Sequence, residues 1–465
     1  MKTKYILLLS VLMLLMTGML STASATEELN DEIKIIINNQ PLITADPPTI
    51  IDGRTLVPLR AIAEAMGCDV TWVASTQTAN LTNETTIVSM QIGNKLVGVR
   101  KRAGSSQPSY KEIDVPPMLI NDRTYIPARA FAEALNSVVG WDNETRTVLI
   151  VYDTTLTHAG GYSLYRYAGS GERKHHDSAL LTMSFVSPES IDIASDGTIY
   201  VTDSGRLRVI RDGKSETIDF EPSYISASML RCYGDSVYIL TNEFQDGTGM
   251  NYYGIVRLNG HSAEGLYITE AVYSKITDFG FSPDGTMYIL QNNVGVGINY
   301  ISKLDTSTGA IVHLKDVDAG VTCLAVDKNG NIFLGNSVKG SIYHLNTATN
   351  EMRLFAGVDG KTKFIDGPNP MFFEPRRLVY RDNSLYVLDY NIIRRIAVND
   401  ASLVIYAETI AGKVSVDSKP ETVDGKASES MLAPSYLMEF ALTNDGIVVT
   451  DPKWAMLRVI TNDQN

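Results

Sequence analysis

Residues 187–210 read SPESIDIASDGTIYVTDSGRLRVI. Ile191 and Ile193 alternate with polar neighbours, and Asp196-Gly197 supplies a turn in which glycine takes a positive φ at little cost. Ile199-Tyr200-Val201 is a β-branched and aromatic run, and after a polar loop residues 207–210 alternate again. The stretch predicts a three-stranded meander. Alone it would leave an open edge and an uncovered apolar face, so it needs neighbours.

Those neighbours follow in the chain. The turn-then-strand signature recurs as Gly234-Asp235 before Tyr238, Asp284-Gly285 before Tyr288 and Asn329-Gly330 before Phe333. It recurs again as Asp382-Asn383 before Tyr386 and Asp445-Gly446 before Val448. With Tyr200 the anchors number six and lie 38 to 62 residues apart. A period of roughly 40–50 residues with four strands per unit is that of a β-propeller. The uneven spacing falls in surface loops, where extra length costs little entropy. The last unit, 436–461, holds three strands of its own. The strand near 165–168 is expected to complete it and close the ring, removing two open edges.

A second kind of repeat precedes the first. GRTLVPLRAIAEAMGCDVTW (53–72) and DRTYIPARAFAEALNSVVGW (122–141) align without a gap at an offset of 69. Each copy gives an extended segment, a proline suited to the first turn of a short alanine-rich helix, and a strand bearing tryptophan. Ile62, Ala65 and Met66, like Phe131, Ala134 and Leu135, make one apolar stripe, and Gly67 is a C-cap candidate. Structural roles are expected for Arg54, Pro58, Arg60, Trp72, Arg123, Pro127, Arg129 and Trp141. Arg60 and Arg129 would pair with Glu64 and Glu133 at i+4, and the tryptophans would anchor the core. The competing reading makes the arginines carboxylate binders and the tryptophans ligand platforms. Residues 101–111, KRAGSSQPSYK, read as an exposed loop between the copies.

The expected fold class is mainly β: a six-bladed β-propeller over 161–465, preceded by a small duplicated α+β stalk domain over 32–152 and a linker at 153–160. Lys2 and Lys4 ahead of an apolar run at 5–15, with Ala23-Ser24-Ala25 after it, read as a secretory signal peptide at 1–25. No later stretch approaches the ~20 apolar residues of a membrane span. The formal charge of −13 disfavours nucleic acid as a partner, since an acidic surface repels phosphate. Cys68, Cys232 and Cys323 are scattered and read as buried small apolar residues rather than a disulfide framework. A secreted monomer, free or associated with the cell wall, is the expectation.

Two family resemblances sharpen this. The doubled R-T-x-[VI]-P-x-R-A-x-A-E-A…W core resembles the N-terminal stalk domain of copper amine oxidases. In those enzymes copper and the modified tyrosine belong to another domain that this chain does not match. The resemblance therefore implies a spacer or surface-binding unit without copper chemistry. The stretches opening at Ala168-Gly169, Ala356-Gly357 and Ala411-Gly412 resemble NHL repeats. They share a polar loop, a proline before the inner strand, Tyr or Val before an Asp, and an arginine-bearing third strand. That implies a six-bladed propeller and says little about its ligand.

One propeller face collects the loops entering each inner strand and those joining strands two and three. It should gather Glu189, Asp203, Arg206, Glu243, Asn292, Asn336, Glu374, Arg376, Asp389, Asn391, Asp451 and Lys453. Such a carboxylate–amide set can hold a hard cation such as calcium, as in the related gluconolactonases. Against this, Asp203, Asp389 and Asp451 occupy equivalent places, which points to caps on their own loops. The histidines (His158, His175, His176, His261, His313, His344) are too dispersed for the metal of the lyase branch of NHL propellers. The reading favoured is an exported, non-catalytic binding protein for an envelope protein, peptide or glycan, needing no cofactor. The alternative is a metal-dependent hydrolase or lyase, gluconolactonase-like or amidating-lyase-like, acting on a small substrate.

Overall fold

The computed structural model describes residues 32–463, apart from 39, 84, 103–106, 136, 143–144, 153–155, 221–225, 246–250, 271–273, 294–296, 400–402 and 416–423. The expected signal peptide lies outside the described residues.

The duplicated motif pairs with itself. Arg54–Pro58 and Arg123–Pro127 run antiparallel, with Val57 opposite Ile126, Leu56 opposite Pro127 and Pro58 opposite Tyr125. Val57 and Ile126 are equivalent positions of the two copies, so a local twofold axis passes between them. Each strand leads into a helix, Leu59–Ala65 or Ala128–Ala134. Pro58 is the N-cap itself, one place earlier than expected, and Gly67 follows the C-cap Met66 with φ of +72°. The helices bury Leu59, Ile62, Ala63, Met66 and Phe131 in one core with Leu81 and Val88. Ala63 takes the stripe position expected for Ala65, which is exposed. The tryptophans depart from a core role: Trp72 is 40% exposed, and Trp141 is half-buried against the core edge. Residues 101–111 are not all loop, because Ser109–Glu112 pairs with Leu96–Lys101.

From Tyr162 onward the described residues form six antiparallel sheets. Their inner strands are Pro188–Ile193, Ala227–Tyr233, Ser274–Phe281, Val321–Val326, Pro375–Arg381 and Phe440–Leu442. Each packs on the next, and the last packs back on the first, as in a propeller. Closure runs as expected. Tyr162–Ala168 pairs with Met456–Asn462, setting Leu164 opposite Ile460 and Tyr165 opposite Val459, and Leu164 and Ala168 are fully buried.

Five inner strands break register once near their entry, as between Pro188 and Ile191 or Pro375 and Arg377. A bulge re-aims the side chains that follow it. Charged residues meet there from several strands. Arg231 donates to Asp278 at 2.7 Å, to both carboxylate oxygens of Glu439 at 3.0 Å and to Ser190 Oγ at 3.3 Å. Arg377 lies 3.8 Å from Asp278, whose second oxygen accepts the Leu324 N–H at 2.9 Å. Buried charges persist where they are paired and hydrogen-bonded, and this network ties the inner strands together.

The stalk sits on the propeller. Val151, with Val138, Leu149 and Leu156 beside it, packs against Phe364, Phe373, Tyr390, Ile392 and Val414. Thr362 Oγ1 donates to the Asn38 carbonyl, and the Lys363 amine lies 5.6 Å from the Tyr152 ring centroid. The connector is pinned as well: the Thr157 N–H donates to Asp366 and the Ala159 N–H to the Thr409 carbonyl, both at 2.8 Å.

Candidate functional site

The expected ring of polar residues does not assemble as one cluster. Asp203 is fully buried and accepts the N–H groups of Val186 and Ser187 at 2.9 and 2.7 Å. Its other oxygen takes Arg208 at 3.0 Å and His175 Nδ1 at 3.1 Å. Asp389 repeats the pattern, accepting Phe373 N–H at 2.9 Å, Glu374 N–H at 2.7 Å and Arg394 at 2.9 Å. Asp451 stands 3.6 Å from Arg458. Each arginine is gripped by a second carboxylate from the preceding loop: Asp177 for Arg208 at 2.8 Å, Asp366 for Arg394 at 2.7 Å, and Asp424 for Arg458. These clamps hold the entry loop of each NHL-like sheet onto its second and third strands. With their oxygens committed to backbone and guanidinium, Asp203 and Asp389 do not fit a hard cation. Both Asp451 oxygens, by contrast, are buried without a hydrogen-bond partner among the described residues, so Asp451 departs from the expected capping role.

The remaining candidates scatter. Asn336 and Asn391 are fully buried and bond neighbouring loops: Asn336 Nδ2 to Asp318, Asn391 Nδ2 to the Lys413 and Leu432 carbonyls. Arg206 is exposed, Asn292 is half-buried, and the side chain of Glu243 lies outside the described residues. Glu189 is half-buried, and burial together with the Asp203 charge pushes its carboxyl up. Among the described residues no three His, Cys, Asp or Glu side chains are placed to share one metal ion.

Asp451 offers a pH test. Burial pushes its carboxyl up to about 6, and Arg458 offsets only part of that. The native state therefore keeps this proton between about pH 4 and 6 while the unfolded chain loses it, so its contribution to stability falls as pH rises through that window. Relative to wild type, Asp451→Asn should gain roughly 2–3 kcal/mol on going from about pH 4 to pH 7. Urea denaturation across that range measures it, and a pH-independent difference would contradict the shift.

Three candidates do come together. Glu374, Arg376 and Lys453 line a cleft of about 560 Å³ between propeller and stalk, facing Lys34, Thr147 and Leu149. Arg376 is 8% exposed, donates to Glu374 at 2.7 Å and to the Ser435 carbonyl at 3.1 Å. Its guanidinium lies between two tyrosine rings, 4.7 Å from the Tyr390 centroid and 4.1 Å from that of Tyr436. Tyr436 is 82% exposed although its ring is held by this contact. A cation against an aromatic face fixes both partners, leaving a planar donor–acceptor pair beside an open ring. The sequence supplied Glu374, Arg376 and Lys453. Tyr390 and Tyr436 were missed because they reach Arg376 only through the packing of the propeller's last two sheets, and the stalk wall because only the docking of the two units brings it here.

Fold and site together define a stalk-and-propeller protein whose two units meet at a polar, aromatic cleft. Residues 36–150 match the copper amine oxidase N-terminal domain. A protease inhibitor from Brevibacillus choshinensis is 28% identical over 129 residues, 28% of this chain, and the match spans 37% of that relative's length. Among solved structures, a Bacteroides thetaiotaomicron protein of unknown function superposes with TM-score 0.51 at 14% identity, covering 84% of this chain and 99% of its own. An auxiliary nutrient binding protein of the same organism gives 0.51 at 13%, covering 81% and 94%. One from Bacteroides ovatus gives 0.51 at 13%, covering 85% and 97%. At such identities the likeness is one of fold.

Proposed function

We propose that this is an exported, non-catalytic binding protein that holds a saccharide of the cell envelope in the cleft between stalk and propeller. The observation that carries the reading is the clamped Arg376 with the exposed Tyr436 ring beside it. A sugar presents an apolar face for stacking and vicinal hydroxyls for a fixed guanidinium–carboxylate pair. The nutrient-binding proteins that share the fold support a binding role. No helix among the described residues is long and apolar enough to cross a membrane. The alternative, a metal-dependent hydrolase or lyase, would require a ligand set that Asp203 and Asp389, committed to backbone and guanidinium, do not supply.

The test is a glycan-array screen of the full chain followed by calorimetry on the hits. Arg376→Ala and Tyr436→Ala should each weaken binding by about tenfold or more, about 1.4 kcal/mol. A saccharide bound equally well by both variants would place its site elsewhere, and release of cleaved product would make the protein an enzyme.

A further inference from the structure

The twofold relation within the stalk produces two grooves, each built from both copies. One, about 690 Å³, combines Arg54 of the first copy with Pro127, Arg129 and Trp141 of the second. The other, about 650 Å³, combines Arg123 of the second copy with Pro58, Arg60 and Trp72 of the first. In each groove the strand arginine of one copy thus meets the proline, helix arginine and tryptophan of the other. In each groove the strand-borne arginine is held by a carboxylate, Arg54 by Asp114 at 2.5 Å and Arg123 by Asp46 at 3.2 Å.

Each groove is bordered by open strand edges. Val138–Asp142, Thr49–Ile51 and Ser109–Glu112 are all end strands of their sheets and contribute Val139, Gly140, Trp141, Ile50 and Lys111 to the first groove. Asp69–Val73 and Met118–Ile120 are end strands that border the second. An uncovered edge offers a row of backbone donors and acceptors to an incoming strand, and charged side chains normally blunt it. Val138, Val139, Gly140 and Trp141 carry no charge, and the one charged residue of that strand, Asp142, stands at its end. The charges lining the two grooves differ: four basic against two acidic residues in the first, two basic against three acidic in the second. In a chain of net charge −13, the first groove is a local reversal of sign.

We infer that the first groove binds an extended acidic peptide, which adds as a strand to the edge Val138–Asp142 and sets its carboxylates against Arg129 and its apolar side chains against Trp141. Backbone pairing supplies affinity and the alternating side chains supply selectivity. The second groove has the edges equivalent to Val138–Asp142 and Thr49–Ile51 but the wrong sign for this ligand.

Fluorescence anisotropy of the full chain with a labelled octapeptide of alternating Glu and Val tests this. Saturable binding that weakens with added salt is expected. Arg129→Ala should weaken it by about tenfold or more, and Arg60→Ala should leave it unchanged. Both side chains are exposed, so both variants should fold, which circular dichroism checks. An N-methylated version of the peptide, lacking backbone donors, should not bind. Any of four results overturns the proposal: no saturable binding, equal binding of a Lys/Val peptide, undiminished binding of the N-methylated peptide, or full affinity in Arg129→Ala. Equal competition by polygalacturonate would show that charge alone is read, and overturns it too.

Discussion

Arg231→Ala is expected to lose about 3–5 kcal/mol of stability at neutral pH, because it leaves Asp278 and Glu439 buried and without their shared cation. Burial pushes the Glu439 carboxyl up, but Arg231 and Arg377 pull it further down, so it sits below its ordinary range. A carboxylate held low stabilises the fold above its unfolded value, near 4.5, and that stabilisation disappears as pH falls through the depressed value. The deficit of the variant should therefore shrink in acid. Replacing Arg231, Asp278 and Glu439 together by apolar residues of similar volume should restore most of the loss, since buried ion networks contribute little beyond an apolar filling. Thermal and urea denaturation at two pH values measure all three effects. A deficit below about 1 kcal/mol at neutral pH would show that the network is hydrated enough to screen these charges.

Leu164→Asp should be the more disruptive change, costing about 4 kcal/mol or more through a lost core side chain and a buried unpaired carboxylate. Leu164 is fully buried among Ile410, Phe440, Ile447 and Ile460, on the strand that joins the start of the propeller to its last segment. Leu164→Ala, which removes packing without adding charge, should cost about 2–5 kcal/mol. Limited proteolysis localises the damage. If the strand is what seals the ring, cleavage should appear first near residue 160 and within the last sheet. Cleavage spread evenly over the chain, or none, would mean that the closure carries little of the cooperativity.

The repeats were legible because their signals are local. Turn glycines, alternating apolar residues and a gapless offset of 69 specify sheets and duplication within a short window. Even the closing strand could be read, since a last unit one strand short has to be completed from somewhere. The capping role of Asp203 and Asp389 was legible for the same reason, through their equivalent places. Their partners were half visible. The third strands showed Arg208, Arg394 and Arg458, and aligning the three stretches also lines up Asp177-Ser178, Asp366-Gly367 and Asp424-Gly425 in the polar loops. What could not be read is whatever depends on rigid-body placement. Tyr390 and Tyr436 look like ordinary propeller tyrosines until the fold sets both rings against Arg376 and the stalk walls the cleft beside them. Trp72 looks like a core residue until its strand proves to be the last in its sheet.

The pairing of Val57 with Ile126 also bears on the 69-residue unit by itself. The strand that carries it matches its own counterpart under rotation, so one unit made alone has a self-complementary edge and should associate in isologous pairs. In such a pair both clefts would be identical, and any change would be imposed on both at once. Joining the units in a single polypeptide releases them from that constraint, and the opposite charge of the two clefts is the freedom so gained.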